Sequence, residues 1–184
     1  MTMKTTTLLL AVATAFTSEI SAQIFMAQAG EASFFSATPV EDIAGVSKAA
    51  KYILNTKTQD IQAKIAMTSF IFEKPLMQEH FNENYVESEK YPYAIFKGKI
   101  NEKIDFSKDG EYNVTVTGIM SMHGVDKEYT IPGKLTVKGS QINISSTFKI
   151  KFADHNIVIP SLYTGVIPPD TEIKINSILE PFKK

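Results

Sequence analysis

Residues 111–124 read EYNVTVTGIMSMHG. On an extended chain, Tyr112, Val114, Val116, Gly118, Met120 and Met122 share one face. Asn113, Thr115, Thr117, Ser121 and His123 share the other, with Ile119 the one apolar exception. Successive side chains of a strand point to opposite faces, so this period of two predicts a strand with one buried side. The phase persists for about thirteen residues, long for a strand.

Working outward, HGVDK reads as a turn, and EYTIPGKLTVKG resumes the alternation with Tyr129, Ile131, Leu135 and Val137 on one side. After Gly139-Ser140 a further strand carries Ile142, Ile144, Phe148, Ile150 and Phe152 inward. The phase flips over Ala153–His155, as at a bulge or bend, so that Ile157 and Ile159 take the apolar side. TEIKINSIL closes the chain with Ile173, Ile175 and Leu179 inward. Upstream, Phe96, Ile100, Ile104 and Phe106 are in phase, and an Asp-Gly turn leads into residues 111–124. In DIQAKIAMTSFIF, Ile61, Ala63, Ile65, Met67 and Ile71 share a face, with Phe70 and Phe72 opposite. Residues 24–36 alternate poorly.

Two segments predict short helices. TPVEDIAGVSK offers Thr38 as N-cap, Pro39 at the first helical position and Glu41 to complete a capping box. KPLMQEHFNENYV starts at Pro75 and repeats Met77, Phe81 and Tyr85 at i, i+4, i+8, with Leu76 beside them, an apolar stripe. About eight long antiparallel strands joined mostly by hairpins predict an all-β domain. Long strands expose edges in an open sheet, and closure into a barrel removes them. The expected fold is therefore an extended eight-stranded antiparallel barrel with two short helices; a sandwich is the runner-up.

The first 23 residues have the pattern of a secretory signal: Lys4, then Leu8–Phe16 apolar, then Ser21-Ala22-Gln23 as a small-residue cleavage site. The apolar run is too short to span a bilayer, and no cysteine follows it to carry a lipid anchor. Residues 24–184 then form one domain, exported to the periplasm or secreted. The chain has no cysteine at all, so neither disulfides nor a thiol nucleophile enter. A net charge of −1 gives no basic surface for nucleic acid, and no other segment is apolar and long enough to span a membrane.

Chemistry-bearing side chains cluster at 79–87, where Glu79, His80 and Glu83 are spaced to share a helix face. His80 and Glu83 at i, i+3 can approach one metal, but a site needs further ligands and no second metal-binding motif accompanies them. His123 before a turn and Asp154-His155 at a strand break are candidate bases, yet each reads as well as a turn-pinning group. No nucleophile elbow, P-loop or dinucleotide fingerprint is present. No catalytic residue, metal ligand or cofactor is therefore assigned. The apolar inventory is more informative. Phe35, Phe70, Phe72, Met77, Phe81, Tyr85, Phe96, Val116, Met120, Met122, Phe148 and Ile157 are the candidate lipid-lining residues. A small barrel can be filled by such groups or hold one ligand. About thirteen residues at ~3.3 Å each, tilted by ~40°, give a barrel roughly 33 Å tall. An elongated apolar interior of that height suits a long apolar chain.

The stretches SFFSATPVEDIAGVS, MQEHFNENYVESEKYPYAIFKGKI, DGEYNVTVTGIMSMHGVDKEYTIPGKLTV and FKIKFADHNIVIP, taken in order, resemble the YceI-like family over residues 31–180. His80, Tyr85, Pro92, Phe96, Gly98, Gly118, His123-Gly124 and Pro160 carry the likeness; Ala153–Asn156 departs from it. The resemblance implies an exported bacterial, lipocalin-like barrel that binds a polyisoprenoid or related long-chain lipid (an isoprenoid quinone or fatty-acid-like chain) without catalysis. The expected partner is that lipid, and a homodimer is compatible with the sequence. The alternatives are a metal-dependent or histidine-based enzyme using His80, Glu83 and His123, and a filled barrel acting only through its surface.

Overall fold

The computed structural model describes residues 23–182. Apart from Gln23, the predicted leader lies outside the described residues. Eight antiparallel strands close into a barrel in chain order: β1 (Ile24–Ser36), β2 (Ile43–Asn55), β3 (Asp60–Ala66), β4 (Tyr93–Ile100), β5 (Gly110–Met122), β6 (Val125–Lys138), β7 (Gln141–Lys151) and β8 (Asp170–Pro181), with β8 pairing back to β1. Among the described residues no helix is long and apolar enough to cross a membrane.

The alternation read over residues 111–124 is β5, and Val114 and Met120 are buried on its inner face. The turn is tighter than HGVDK: His123 and Gly124 alone connect β5 to β6. Both have positive φ, 51° and 74°, as the two-residue hairpin matching strand twist requires.

Three expectations are corrected. Residues 38–48 do not form a helix. Thr38 Oγ1 accepts hydrogen bonds from the Val40 and Glu41 amides, so the capping signal is real, but it closes a local turn that leads into β2. β2 hides its strand character because its inner face is small at Gly45, Ser47 and Ala50. A single short helix remains, α1 (Pro75–His80), continuing as a π-helical turn over Phe81–Tyr85. In residues 61–72 the strand ends at Ala66, and a 3₁₀ turn at Met67–Ser69 resets the phase. Phe70 and Phe72 are buried while Ile71 faces outward. Residues 152–163 contain two 3₁₀ turns rather than a continuing strand carrying Ile157 and Ile159.

The barrel is not equally full along its length. At the end bearing the β2–β3 and β6–β7 hairpins, Leu54, Val137, Ile142 and Leu179 are buried into a solid layer. The connection after β4 caps that end. The Gln59 side chain donates to the Ile100 and Glu102 carbonyls and accepts from the Ile104 amide, and Ile104 and Phe106 pack on the buried layer. Midway, Gly98 of β4 pairs with Gly118 of β5, and a Cβ at 118 would stand 2.3 Å from Gly98 Cα and from the Lys97 carbonyl oxygen. Two backbones approach here as only paired glycines permit.

Gly118→Val should therefore destabilise by about 3 kcal/mol or more, because backbone cannot yield as a side chain does. Gly139→Ala, at φ +55° with nothing within 4 Å of its Cβ, should cost only about 1 kcal/mol of left-handed strain. Urea midpoints of the two variants test the contrast.

Candidate functional site: an apolar cavity closed at one end

Above the solid layer the barrel is hollow. A cavity of about 690 Å³ runs from Tyr52, Ile100, Val114 and Leu135 at its depth, past Val116, Phe96, Phe148 and Met120, to a rim of loops. This lies within the ~300–1,000 Å³ of small-molecule sites. Its walls are overwhelmingly hydrocarbon, because the inward positions of every strand carry apolar or small residues.

Four phenylalanines bound the cavity beside α1. Phe34 stacks on Phe81 at 5.1 Å between centroids, and Phe70 and Phe72 meet both at 5.0–5.7 Å with tilted or edge-on rings. Met77, Phe81 and Tyr85 face this cluster, whereas Glu79, His80 and Glu83 are exposed. Leu76, expected in the buried stripe, is largely exposed at the rim with Val40 and Leu162. Tyr85 sits near Tyr163, and burial followed by that neighbour pushes its phenol up. The rim carries one ion pair, Lys74 with Glu41. A second opening is a slit in the wall. Pairing between β6 and β7 stops at Lys134↔Ser145, and the exposed residues Pro132, Lys134 and Ser145 reach the cavity through it. The Ser146 hydroxyl donates to the Pro132 carbonyl across the slit.

All the candidate lining residues border this cavity except Phe35. Phe35 is half-exposed on the outside and Phe34 takes the inward place. The cause is a register shift in β1 around Gly30, where Gln28 and Ala29 both face outward and exchange the two faces. Tyr52 also lines the cavity and is not among the sequence candidates. The inward run Ala50, Tyr52, Leu54 alternates cleanly, but follows the segment misread as a helix.

Two of the histidines are engaged with backbone carbonyls near the β5–β6 turn. His123 Nδ1 donates to the His155 carbonyl at 2.9 Å, its Nε2 lies 3.4 Å from Glu87 Oε1, and Tyr91 packs against its ring at 4.6 Å. His155, fully buried, donates from Nδ1 to the Met122 carbonyl at 3.3 Å. Its Nε2 accepts from the Tyr129 hydroxyl at 3.2 Å. Burial lowers the His155 pKa against the opposing pull of backbone carbonyls. Burial and then Asp154 push the Tyr129 phenol up to about 12. These bonds fasten the β5–β6 hairpin tip to the 3₁₀ turn after β7. Among the described residues no three His, Asp or Glu side chains converge as metal ligands.

A closed antiparallel barrel, apolar within and sealed at one end, defines a hollow-barrel protein of the lipocalin-like kind. The YceI-like domain model matches residues 13–178, and the chain belongs to the YceI-like family. No curated protein matches it. Among solved structures it is similar to a polyisoprenoid-binding domain from Saccharophagus degradans implicated in plant cell wall breakdown, at 15% identity and TM-score 0.73, covering 88% of this chain and 99% of that one. Burkholderia cenocepacia BcnA follows at 18% identity and TM-score 0.68, covering 82% and 95%. A Campylobacter jejuni YCEI protein matches at 18% identity and TM-score 0.65, covering 80% and 90%. These likenesses show the fold.

Two outcomes follow. Phe81→Ala should destabilise by about 2–4 kcal/mol, near the ~3–5 of a fully buried ring. Glu79→Ala and Glu83→Ala should stay within about ±0.5 kcal/mol; equal losses in denaturant melts would contradict the arrangement. His155 has a folded pKa below the ordinary ~6.5. The unfolded chain therefore takes up a proton that the folded one refuses as pH falls from 7 towards 5, and stability drops over that window. His155→Gln should be less stable at pH 7 and show a shallower drop.

Proposed function

We propose that this protein binds a long-chain apolar lipid, of isoprenoid or fatty-acid-like chemistry, inside the barrel, and serves to carry or sequester it. The carrying observation is the continuous hydrocarbon-lined cavity of about 690 Å³ within a barrel whose other end is packed solid. A lipid chain would gain from burial there about 25 cal/mol for each Å² of apolar surface removed from water. Rim groups such as Lys74, Glu41 and Thr38 are placed to meet a polar end. The polyisoprenoid-binding character of the Saccharophagus degradans domain supports the same ligand class.

The reading is non-catalytic. The histidines most suggestive of chemistry, His123 and His155, are engaged in bonds that hold the hairpin; Glu83 faces solvent, and His80 is exposed at the cavity mouth without Glu83 beside it in the lining. The apolar N-terminal run supports export, so we place the action in the periplasm or outside the cell. The cavity is built wholly from one chain, so a homodimer would not be required for binding.

The test enlarges one wall residue. In lipid-stripped protein Val116→Phe should fold with a nearly unchanged melting temperature, since it grows into empty space. It should retain much less long-chain lipid in native mass spectrometry. Ile119→Phe, on the exposed outer face of the same strand, should retain lipid normally. A solid interior would instead cost Val116→Phe about 1–3 kcal/mol of overpacking without altering bound lipid, and would overturn the reading.

A further inference from the structure

We infer that Tyr52 is the residue that sets the longest apolar chain the cavity accepts, a specificity role that rests on the lipid-binding reading above. Tyr52 is almost fully buried and borders the cavity, whereas Leu54, two residues further along the same face, lies in the solid layer and does not. The Tyr52 ring thus stands between hollow and filled barrel.

Its position is specially built. A Cβ on Gly30 would meet the Tyr52 ring at 2.5 Å and Ser177 Oγ at 2.4 Å, so the glycine is what lets the ring lie over β1 towards β8. The register shift in β1 falls around Gly30–Ala32, and there the Glu31 carbonyl accepts the Tyr52 hydroxyl at 3.0 Å. Burial, with the Glu31 charge as a lesser cause, pushes the phenol up, so it remains a donor at physiological pH. A leucine or phenylalanine could fill this space, but neither could be tied to the bulged strand. The hydroxyl fixes a large, flat ring at one height. An end wall held by a hydrogen bond gives a sharp length limit, where loosely packed side chains would yield to a longer chain.

The neighbouring position provides an opposite lever. Ala63 pairs directly with Tyr52 across β2 and β3 and also borders the cavity. A larger residue there raises the floor, and a smaller residue at 52 lowers it.

The experiment loads lipid-stripped protein with a mixture of all-trans polyprenols of graded length and reads the longest retained species by native mass spectrometry. Tyr52→Val should move the cut-off up by about one isoprenoid unit, since large-to-small changes leave space the surroundings only partly fill. Ala63→Phe should move it down by about one, and Tyr52→Phe should keep its centre but broaden it. If Tyr52→Val does not fold, Ala63→Phe decides: a lowered cut-off supports the assignment. An unchanged cut-off in the folded variants overturns the role of Tyr52 while leaving lipid binding intact. Retention of no polyprenol by the unaltered protein overturns the binding reading and this one with it.

Discussion

Closing eight strands into a ring fixes the width of the interior before any side chain is chosen. Each strand then has a paired neighbour on both sides over at least part of its length, and the inward residues fill the fixed bore or leave it empty. In this chain they do both. Leu54, Val137, Ile142 and Leu179 meet across one end, and Ala32, Ala63 and Val116 leave room in the middle. The Gly98–Gly118 contact belongs to the same constraint, since it draws β4 and β5 together where no side chain stands between them. A hollow barrel forgoes the packing contacts a filled one would have. Its stability therefore leans on the solid end, on the aromatic cluster beside α1 and on the fastened hairpin tip.

Legibility in the sequence followed the size of the inward residues. From β5 to β8 large apolar side chains alternate with polar ones, and both strands and inward faces could be read directly. In β2 the inward Gly45, Ser47 and Ala50 carry almost no hydropathic signal, and Thr38-Pro39 ahead of them mimics a helix start. The local chemistry was read correctly, because Thr38 does cap amides, but the chain beyond it was committed to the ring. β1 failed for a different reason. A bulge exchanges the two faces within one strand, so no single phase fits, and Phe34 rather than Phe35 turns inward. The 3₁₀ turn at Met67–Ser69 likewise breaks the phase of its segment, yet Phe70 and Phe72, both candidates, turn inward beyond it. The wall of the site was largely visible as an apolar inventory, whereas its floor was not. Tyr52 acquires its place from Gly30, 22 positions away in the chain and beside it in the ring.

The histidines show how one residue type can suggest chemistry and supply architecture. His123 occupies a left-handed position at the tip of the longest hairpin, where glycine or asparagine is commoner. The strain is offset by what the imidazole reaches: the His155 carbonyl, Glu87 and the ring of Tyr91. His155 returns a bond to Met122, the residue just before the tip. Each histidine thus secures backbone of the other's segment. The pairing between β6 and β7 ends at Lys134 and Ser145, and beyond that point few ladder bonds join the two sides of the barrel. A reciprocal side-chain clasp at the open end supplies what the ladder does not. The half-buried Tyr129–His155 bond extends the clasp into the wall beside the slit. Removing the ionisable groups would cost hold on the rim without touching the hydrocarbon surface. The polar network and the apolar cavity are therefore separable parts of one barrel, the first shaping the opening and the second the hollow behind it.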